Sequence, residues 1–208
     1  MTPPICSSCS RQSSAKPPTR TAPGKGDLVQ SFVYDTNDMI VKERLGNDEY
    51  QMTYATGPRK TTVVDRSSNT VEWTFDAVGA PTKREVFTKG LRTGEPASYV
   101  TTYSVNATTG MVDHVVFPRG NRVDYVYDSS LNLLEVRQRE TNTSVDAPTD
   151  LVHSYGYGVY GQRNSAKDPL GNATLYTLDG LGNTTQITHP TITSPASQVI
   201  VENFTYDP

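Results

Sequence analysis

The feature that most constrains this chain is an internal repeat. A large apolar or aromatic residue followed by Asp or a small residue recurs eight times: Tyr34-Asp35, Tyr54-Ala55, Phe75-Asp76, Tyr103-Ser104, Tyr127-Asp128, Tyr157-Gly158, Leu178-Asp179 and Tyr206-Asp207. Successive marks lie 20, 21, 28, 24, 30, 21 and 28 residues apart. Two positions before them stand Phe32, Met52, Trp73, Thr101, Tyr125, Tyr155, Tyr176 and Phe204, seven of the eight large and apolar. Alternation that ends at the same mark each time predicts one strand per repeat with a packed face. A recurring unit of this size is one supersecondary element, stabilised by stacking on its neighbours.

The residues just after each mark predict a turn. Asp76-Ala77-Val78-Gly79, Asp179-Gly180-Leu181-Gly182 and Gly158-Val159-Tyr160-Gly161 place Gly three residues after the Asp slot. A carboxylate there caps the backbone N–H two residues on, and Gly supplies the positive φ that closes a hairpin. Asp35-Thr36-Asn37-Asp38 and Asp128-Ser129-Ser130-Leu131 fill the same turn without Gly. In the first, Asp38 or Asn37 is expected to take the strained conformation; in the second, Asn132 beside Leu131 is the candidate. Return strands such as Ile40–Glu43 and Leu133–Val136 make each repeat a β-hairpin.

A longer rhythm of about fifty residues is superimposed on the hairpins. Phe75 to Tyr127 is 52 residues, Tyr127 to Leu178 is 51, and Tyr54 to Tyr103 and Tyr157 to Tyr206 are both 49. Within these pairs lie compact loops, Asp65–Asn69, Phe117-Pro118-Arg119-Gly120-Asn121 and Asp168-Pro169-Leu170-Gly171-Asn172. Longer polar loops fall around residues 88–98, 140–150 and 189–198. Composition agrees: 28 Thr, 21 Val and 12 Tyr against 11 Leu and 11 Ala favour strands, and with 15 Gly and 14 Pro a helical bundle is excluded. The expected fold is all-β, a meander of hairpins. Its last strand, Val199–Tyr206, is expected to be an open edge.

Residues 1–27 differ from the rest, being rich in Pro, Ser, Lys and Arg with almost no apolar residue. They cannot bury enough surface to offset their ordering entropy, so a disordered tail precedes a repeat segment over 28–208. The tail has no apolar stretch of the kind a secretory signal needs. A net charge of −3 gives little support to nucleic-acid binding, and no run of apolar residues is long enough to span a membrane.

The strand–Tyr-Asp–x-x-Gly pattern with an intervening Asp-Pro-x-Gly-Asn resembles the YD repeat of Rhs proteins. Asp168-Pro169-Leu170-Gly171-Asn172-Ala173-Thr174-Leu175-Tyr176-Thr177-Leu178-Asp179-Gly180-Leu181-Gly182-Asn183 carries it most clearly, and residues 28–208 share it. The chain departs from the pattern at Ala55, Ser104, Gly158, Leu131 and Leu178. The resemblance implies a signature of structural residues: Tyr34, Asp35, Trp73, Phe75, Asp76, Gly79, Gly120, Asn121, Tyr125, Tyr127, Asp128, Asp168, Pro169, Gly171, Asn172, Tyr176, Asp179, Gly182, Tyr206 and Asp207. It implies a spiralling β-sheet shell, as in Rhs polymorphic toxins, insecticidal toxin-complex proteins and teneurins. The bacterial shells enclose a C-terminal toxic domain, released by a self-cleaving aspartyl protease element. Neither cargo nor protease is legible here, so the chain reads as a fragment whose partners are further repeats and that effector. A secreted or cell-surface location rests on the resemblance alone.

Sites of other chemistry fit poorly. Gly156-Tyr157-Gly158-Val159-Tyr160-Gly161 matches G-x-G-x-x-G, but Pro169 and the lack of helical periodicity deny it the helix that would hold a pyrophosphate. Cys6-Ser7-Ser8-Cys9 lacks two further zinc ligands, since His114, His153 and His189 are distant and irregularly spaced. No G-x-S-x-G is present, and the aspartates that could pair for glycoside hydrolysis sit in turn slots. The five Asn-x-Ser/Thr sequons, at Asn106, Asn142, Asn172, Asn183 and Asn203, are expected by chance in a chain rich in Asn and Thr. No cofactor, metal or enzymatic activity is expected. The alternative to a structural wall is a module that binds surface glycans through exposed aromatics.

Overall fold

A computed structural model describes residues 30–57, 59–193 and 197–207. The tail assigned to residues 1–27, with Cys6 and Cys9, lies outside them. The described residues form fifteen strands and no helix. They are β1 (Gln30–Tyr34), β2 (Ile40–Leu45), β3 (Asp48–Thr56), β4 (Arg59–Val64), β5 (Thr70–Phe75), β6 (Pro81–Phe87), β7 (Ser98–Val105) and β8 (Val112–Val116). They continue as β9 (Arg122–Tyr127), β10 (Leu133–Arg139), β11 (Leu151–Tyr157), β12 (Arg163–Lys167), β13 (Ala173–Leu178), β14 (Thr184–Thr188) and β15 (Val201–Asn203).

The chain divides into two compact units, residues 1–72 with 86–97, and residues 73–85 with 98–208. In the first unit β1 to β4 lie side by side in chain order, every pair antiparallel. In the second, β7 to β15 do the same. Among the described residues, contacts between strands within each unit join consecutive strands alone, and none of these strands packs as a second layer on a face. That corrects one expectation. Alternation predicts that the aromatic stripe forms a packed interior, yet Phe32, Tyr34 and Tyr54 are each about 40% exposed. Val115 is the apolar residue among those described that is buried.

Without a core, register is set at the hairpin ends. Eight five-residue turns share one closure, in which the N–H of the first residue donates to the carbonyl of the fifth: 35–39, 65–69, 76–80, 117–121, 128–132, 158–162, 168–172 and 179–183. The fourth residue's N–H also donates to the first residue's carbonyl, and the fourth residue takes positive φ in all eight. Where Asp opens the turn, its Oδ1 accepts the N–H groups of the third and fifth residues, as at Asp35, Asp65, Asp76, Asp128, Asp168 and Asp179. Asp38 holds the positive φ in the first turn, at 59°. In the fifth it is Leu131 itself, at 65°, and not Asn132. Asn132 has another task, donating its side-chain N–H to Asp128 Oδ2.

The second residue after a turn is commonly bulged. The registers Tyr34↔Ile40 then Val33↔Lys42 leave Val41 extra, and the same arithmetic leaves Asp113, Leu134, Asn164 and Thr185 extra in later hairpins. Gly156, paired with Ser165 beside the bulge at Asn164, is where a Cβ would lie 2.4 Å from Ser165 Oγ. The glycines of the G-x-G-x-x-G stretch therefore serve the end of β11 and its turn, and β12 comes next.

Three marks do not end their strands. β3 runs past Tyr54 to Thr56 and β7 past Tyr103 to Val105, while the last strand, expected over Val199–Tyr206, is β15 over Val201–Asn203 and stops short of Tyr206. After β7 the turn opens instead at Asn106, whose Oδ1 accepts the N–H groups of Thr108 and Thr109.

Leu131 in a left-handed conformation is a local cost, since its Cβ crowds the following carbonyl. Leu131→Gly is expected to stabilise the chain by about 1 kcal/mol. Urea unfolding of the two proteins checks this, and a less stable variant would contradict it.

Candidate functional site

Antiparallel pairing places directly opposed residues on one face, so register sorts the side chains. In the first unit, Phe32, Glu43 and Tyr50 share a face, with Met52 and Val63 beside them. The reverse face carries Arg44, Glu49, Lys42 and Gln51. In the second unit, Tyr103, Val115 and Val123 form one row, and Tyr125, Val136 and His153 another. Tyr155, Ala166 and Thr174 form a third, and Tyr176 faces Ile187. Each unit thus has an aromatic face and a polar face.

The aromatic face of the second unit carries two ring-bound cations. Trp73 stacks on Tyr103 with centroids 5.9 Å apart, and the Arg84 guanidinium lies 5.7 Å from the Trp73 ring. The Arg163 guanidinium lies 5.8 Å from Tyr155 and 5.3 Å from Tyr176, so rings from β11 and β13 flank it. The bulge at Asn164 turns Arg163 toward this face. Neither arginine makes an ion pair among the described residues.

The polar faces are closed by ion pairs. Lys42 and Arg44 both hold Glu49, at 3.2 and 2.6 Å, and bonds from Arg44 first, then Gln51 and Lys42, pull its carboxyl down to about 2. In the second unit Arg139, 8% exposed, gathers Asp124, Asp146 and Asp150, the last at 2.8 Å. Arg139 also donates to the Val145 carbonyl at 2.8 Å, fastening loop 140–150 onto the sheet. Burial alone would raise the Asp124 carboxyl, but bonds from Arg139 and Arg122 outweigh it and hold it below the usual range. His114, paired with Asp124 across the strands, is pushed below the ordinary imidazole value by burial first and Arg122 second. An arginine that compensates three acids here is structural, since removing it would leave Asp124 to Arg122 alone and Asp150 to the longer contact with Arg137.

The tyrosine marks have a task that packing arguments do not reveal. The Tyr54 hydroxyl donates to the Ile40 carbonyl at 2.7 Å, Tyr157 to Leu133 at 2.9 Å and Tyr206 to Thr184 at 2.9 Å. Each acceptor directly precedes a bulged residue, where the ladder is interrupted. Tyrosine thus ties each of these turns to the next stretch of chain.

The signature residues fall into these parts. Tyr34, Phe75 and Tyr127 end β1, β5 and β9, while Trp73, Tyr125 and Tyr176 lie inside β5, β9 and β13. Asp35, Asp76, Asp128, Asp168 and Asp179 open turns, with Pro169 second in its own, and Gly79, Gly120, Gly171 and Gly182 take the positive φ. Asn121 and Asn172 close turns, and Asn172 also donates to Asp168 Oδ2 at 2.8 Å. Tyr206 and Asp207 lie just past β15. These residues do not converge on one point. A hollow of about 510 Å³ between two turns is lined by Asp128, Asn132, Tyr157 and Tyr160, but the Asp128 carboxylate is committed to its turn. Sequence reasoning missed the tyrosine hydroxyls, Arg139 and the ring-bound arginines. Arg163, midway between two aromatic strands, was the available signal.

Fold and faces together define a class: repeated antiparallel hairpins in single-layer sheets, each with an aromatic and a polar face. Among solved structures, the chain is similar to part of a TcdB2-TccC3-Cdc42 crystal structure, with a TM-score of 0.62 at 14% identity over 86% of this chain and 10% of that one. It is similar to part of the Tc holotoxin pore of Photorhabdus luminescens, with a TM-score of 0.60 at 15% identity over 83% of this chain and 9% of that one. A TcdB2-TccC3-TEV structure gives 0.54 at 12% identity, covering 88% and 12%. This chain therefore spans about a tenth of the length of those it matches, and the likeness is one of fold. No family profile matches the sequence. No curated protein matches it.

The turn carboxylates make stability depend on pH. Asp65 is held below the usual carboxylate range chiefly by the Asn69 backbone N–H, and Asp128, Asp168 and Asp179 chiefly by the side chains of Asn132, Asn172 and Asn183. A carboxyl depressed on folding contributes stability that is full above the unfolded value of about 3.9 and lost as pH falls through the lower folded value. The urea midpoint is expected to fall from neutral pH to about pH 3. In the double variant Asp168→Asn/Asp179→Asn that fall should be shallower; an equal fall in both proteins would contradict the assignment.

Proposed function

We propose that this chain is a non-catalytic wall segment of a YD-repeat shell, in a longer toxin-complex-like protein that encloses and presents a C-terminal effector. The observation that carries the reading is the hairpin repeat itself, folded as single-layer antiparallel sheets and sharing its fold with segments of TcdB2-TccC3 and Tc holotoxin structures over 83–88% of this chain. A sheet with one aromatic face exposed and no second layer suits a wall whose cover comes from elsewhere in the assembly. On this reading the partners are neighbouring repeats and the effector, the location is outside the producing cell, and the chain catalyses nothing.

A glycan-binding module needs open aromatic ring faces. The Arg163 guanidinium lies over Tyr155 and Tyr176, and Trp73 is shared between Arg84 and Tyr103, so these rings are less open to a sugar, while Tyr34, Tyr50 and Tyr160 stay exposed.

The test is to tag the gene at its native locus, purify the product and determine its structure by electron cryomicroscopy. The expected product is several times longer than this chain, with residues 28–208 as one stretch of a hairpin-built wall around an enclosed C-terminal segment. A full product of 22.8 kDa, or a wall with nothing inside, would overturn the proposal.

A further inference from the structure

The two faces of the second unit treat their cations differently. On the polar face Arg122, Arg137 and Arg139 are all neutralised by acids of this chain. On the aromatic face Arg84 and Arg163 lie against rings instead, and neither has a carboxylate partner among the described residues. Glu202, an acid on the aromatic face, is already engaged by His189 at 2.5 Å. The charge of Arg163 is therefore unbalanced where it stands, and its side chain is exposed.

A guanidinium held against rings is a prepared donor. Two rings whose centroids lie 5.3 and 5.8 Å from its Cζ restrict the long side chain in advance, so less freedom is lost when its N–H groups meet an acceptor. Those edge donors form a planar fork that matches a carboxylate with two parallel bonds. Tyr155 and Tyr176 hold the fork from β11 and β13, with the apolar side chains of Ile187 and Val136 in the neighbouring rows. A cation framed by apolar surface selects an acid carried on a chain with apolar residues beside it.

We propose that Arg163, seated between Tyr155 and Tyr176, is a docking point for a carboxylate side chain of an acidic partner polypeptide. The assignment is independent of the shell reading, because it concerns what this face binds and not what the whole protein encloses.

The probe is a fluorescein-labelled hexapeptide of alternating Glu and Leu, followed by anisotropy against the full chain at about 20 mM salt, where screening is weak. Arg163→Gln is expected to raise Kd about tenfold. Arg163→Lys, which keeps the charge but loses the fork, should weaken binding less than Arg163→Gln. Arg119→Gln, removing an exposed cation from the turn 117–121, should leave Kd unchanged. Equal binding by Arg163→Gln and the unaltered chain would overturn the proposal. So would an equal loss in Arg119→Gln, which would reduce the effect to overall charge. Tighter Arg163-dependent binding of a thymidine hexanucleotide would also overturn it, in favour of a phosphate ligand. If circular dichroism shows that Arg163→Gln does not fold, the Arg163 Nε–H resonance of the unaltered chain decides: a shift on peptide addition supports docking, and no shift overturns it.

Discussion

Each hairpin of this sheet depends on how its turn is closed. A five-residue turn whose fourth position has positive φ aligns two strands, and a bulge just beyond it breaks the ladder and leaves a carbonyl that needs a donor. At Ile40, Leu133 and Thr184 a tyrosine hydroxyl from the next stretch of chain supplies that donor. The interaction joins a local turn to the next hairpin, so register is passed along the chain from one repeat to the next. In a two-layer protein the buried face would enforce register, because a slip of one residue turns it to solvent. Among the described residues no second layer imposes that penalty, and the turns and tyrosines take over.

Closure by turns has an electrostatic side. The aspartate that opens a turn satisfies two backbone N–H groups with one oxygen and, where Asn closes the turn, a side-chain amide with the other. All of this occurs at solvent-exposed loop tips, which explains how turns so alike recur with variable residues at their second and third positions. Turns 117–121 and 158–162 keep the backbone closure with Phe117 and Gly158 in the first place, so the carboxylate reinforces a geometry that the glycine already permits. The polar faces obey another rule, with arginines shared among several acids, and Arg139 also anchors the one long loop it touches.

Much of the fold was legible because period-2 alternation, Asp-x-x-Gly spacing and a constant mark are local signals. Hairpins, turn positions and the three long loops come from them directly. Leu131 was not legible: nothing local announces that a leucine will accept positive φ, and it does so because Asp128 and Asn132 lock the turn around it. The exposure of the aromatic stripe was not legible either, since alternation tells which residues share a face but not whether anything covers it. The ring-bound state of Arg163 depends on a bulge at Asn164, and bulges leave little trace in sequence beyond a glycine such as Gly156 on the partner strand. Arg139 draws together residues from two strands and a loop, a meeting that spacing alone does not fix.

The central physical claim is that these sheets hold their shape through turns and lateral pairing, with little apolar surface buried. Differential scanning calorimetry tests it directly, because the heat capacity change of unfolding tracks apolar surface exposed. Ordinary globular domains give about 12–15 cal/mol/K per residue. For this chain, normalised to residues 30–207, the expected value lies clearly below that range. A value inside it would mean that a full core is buried in solution and would contradict a single-layer sheet.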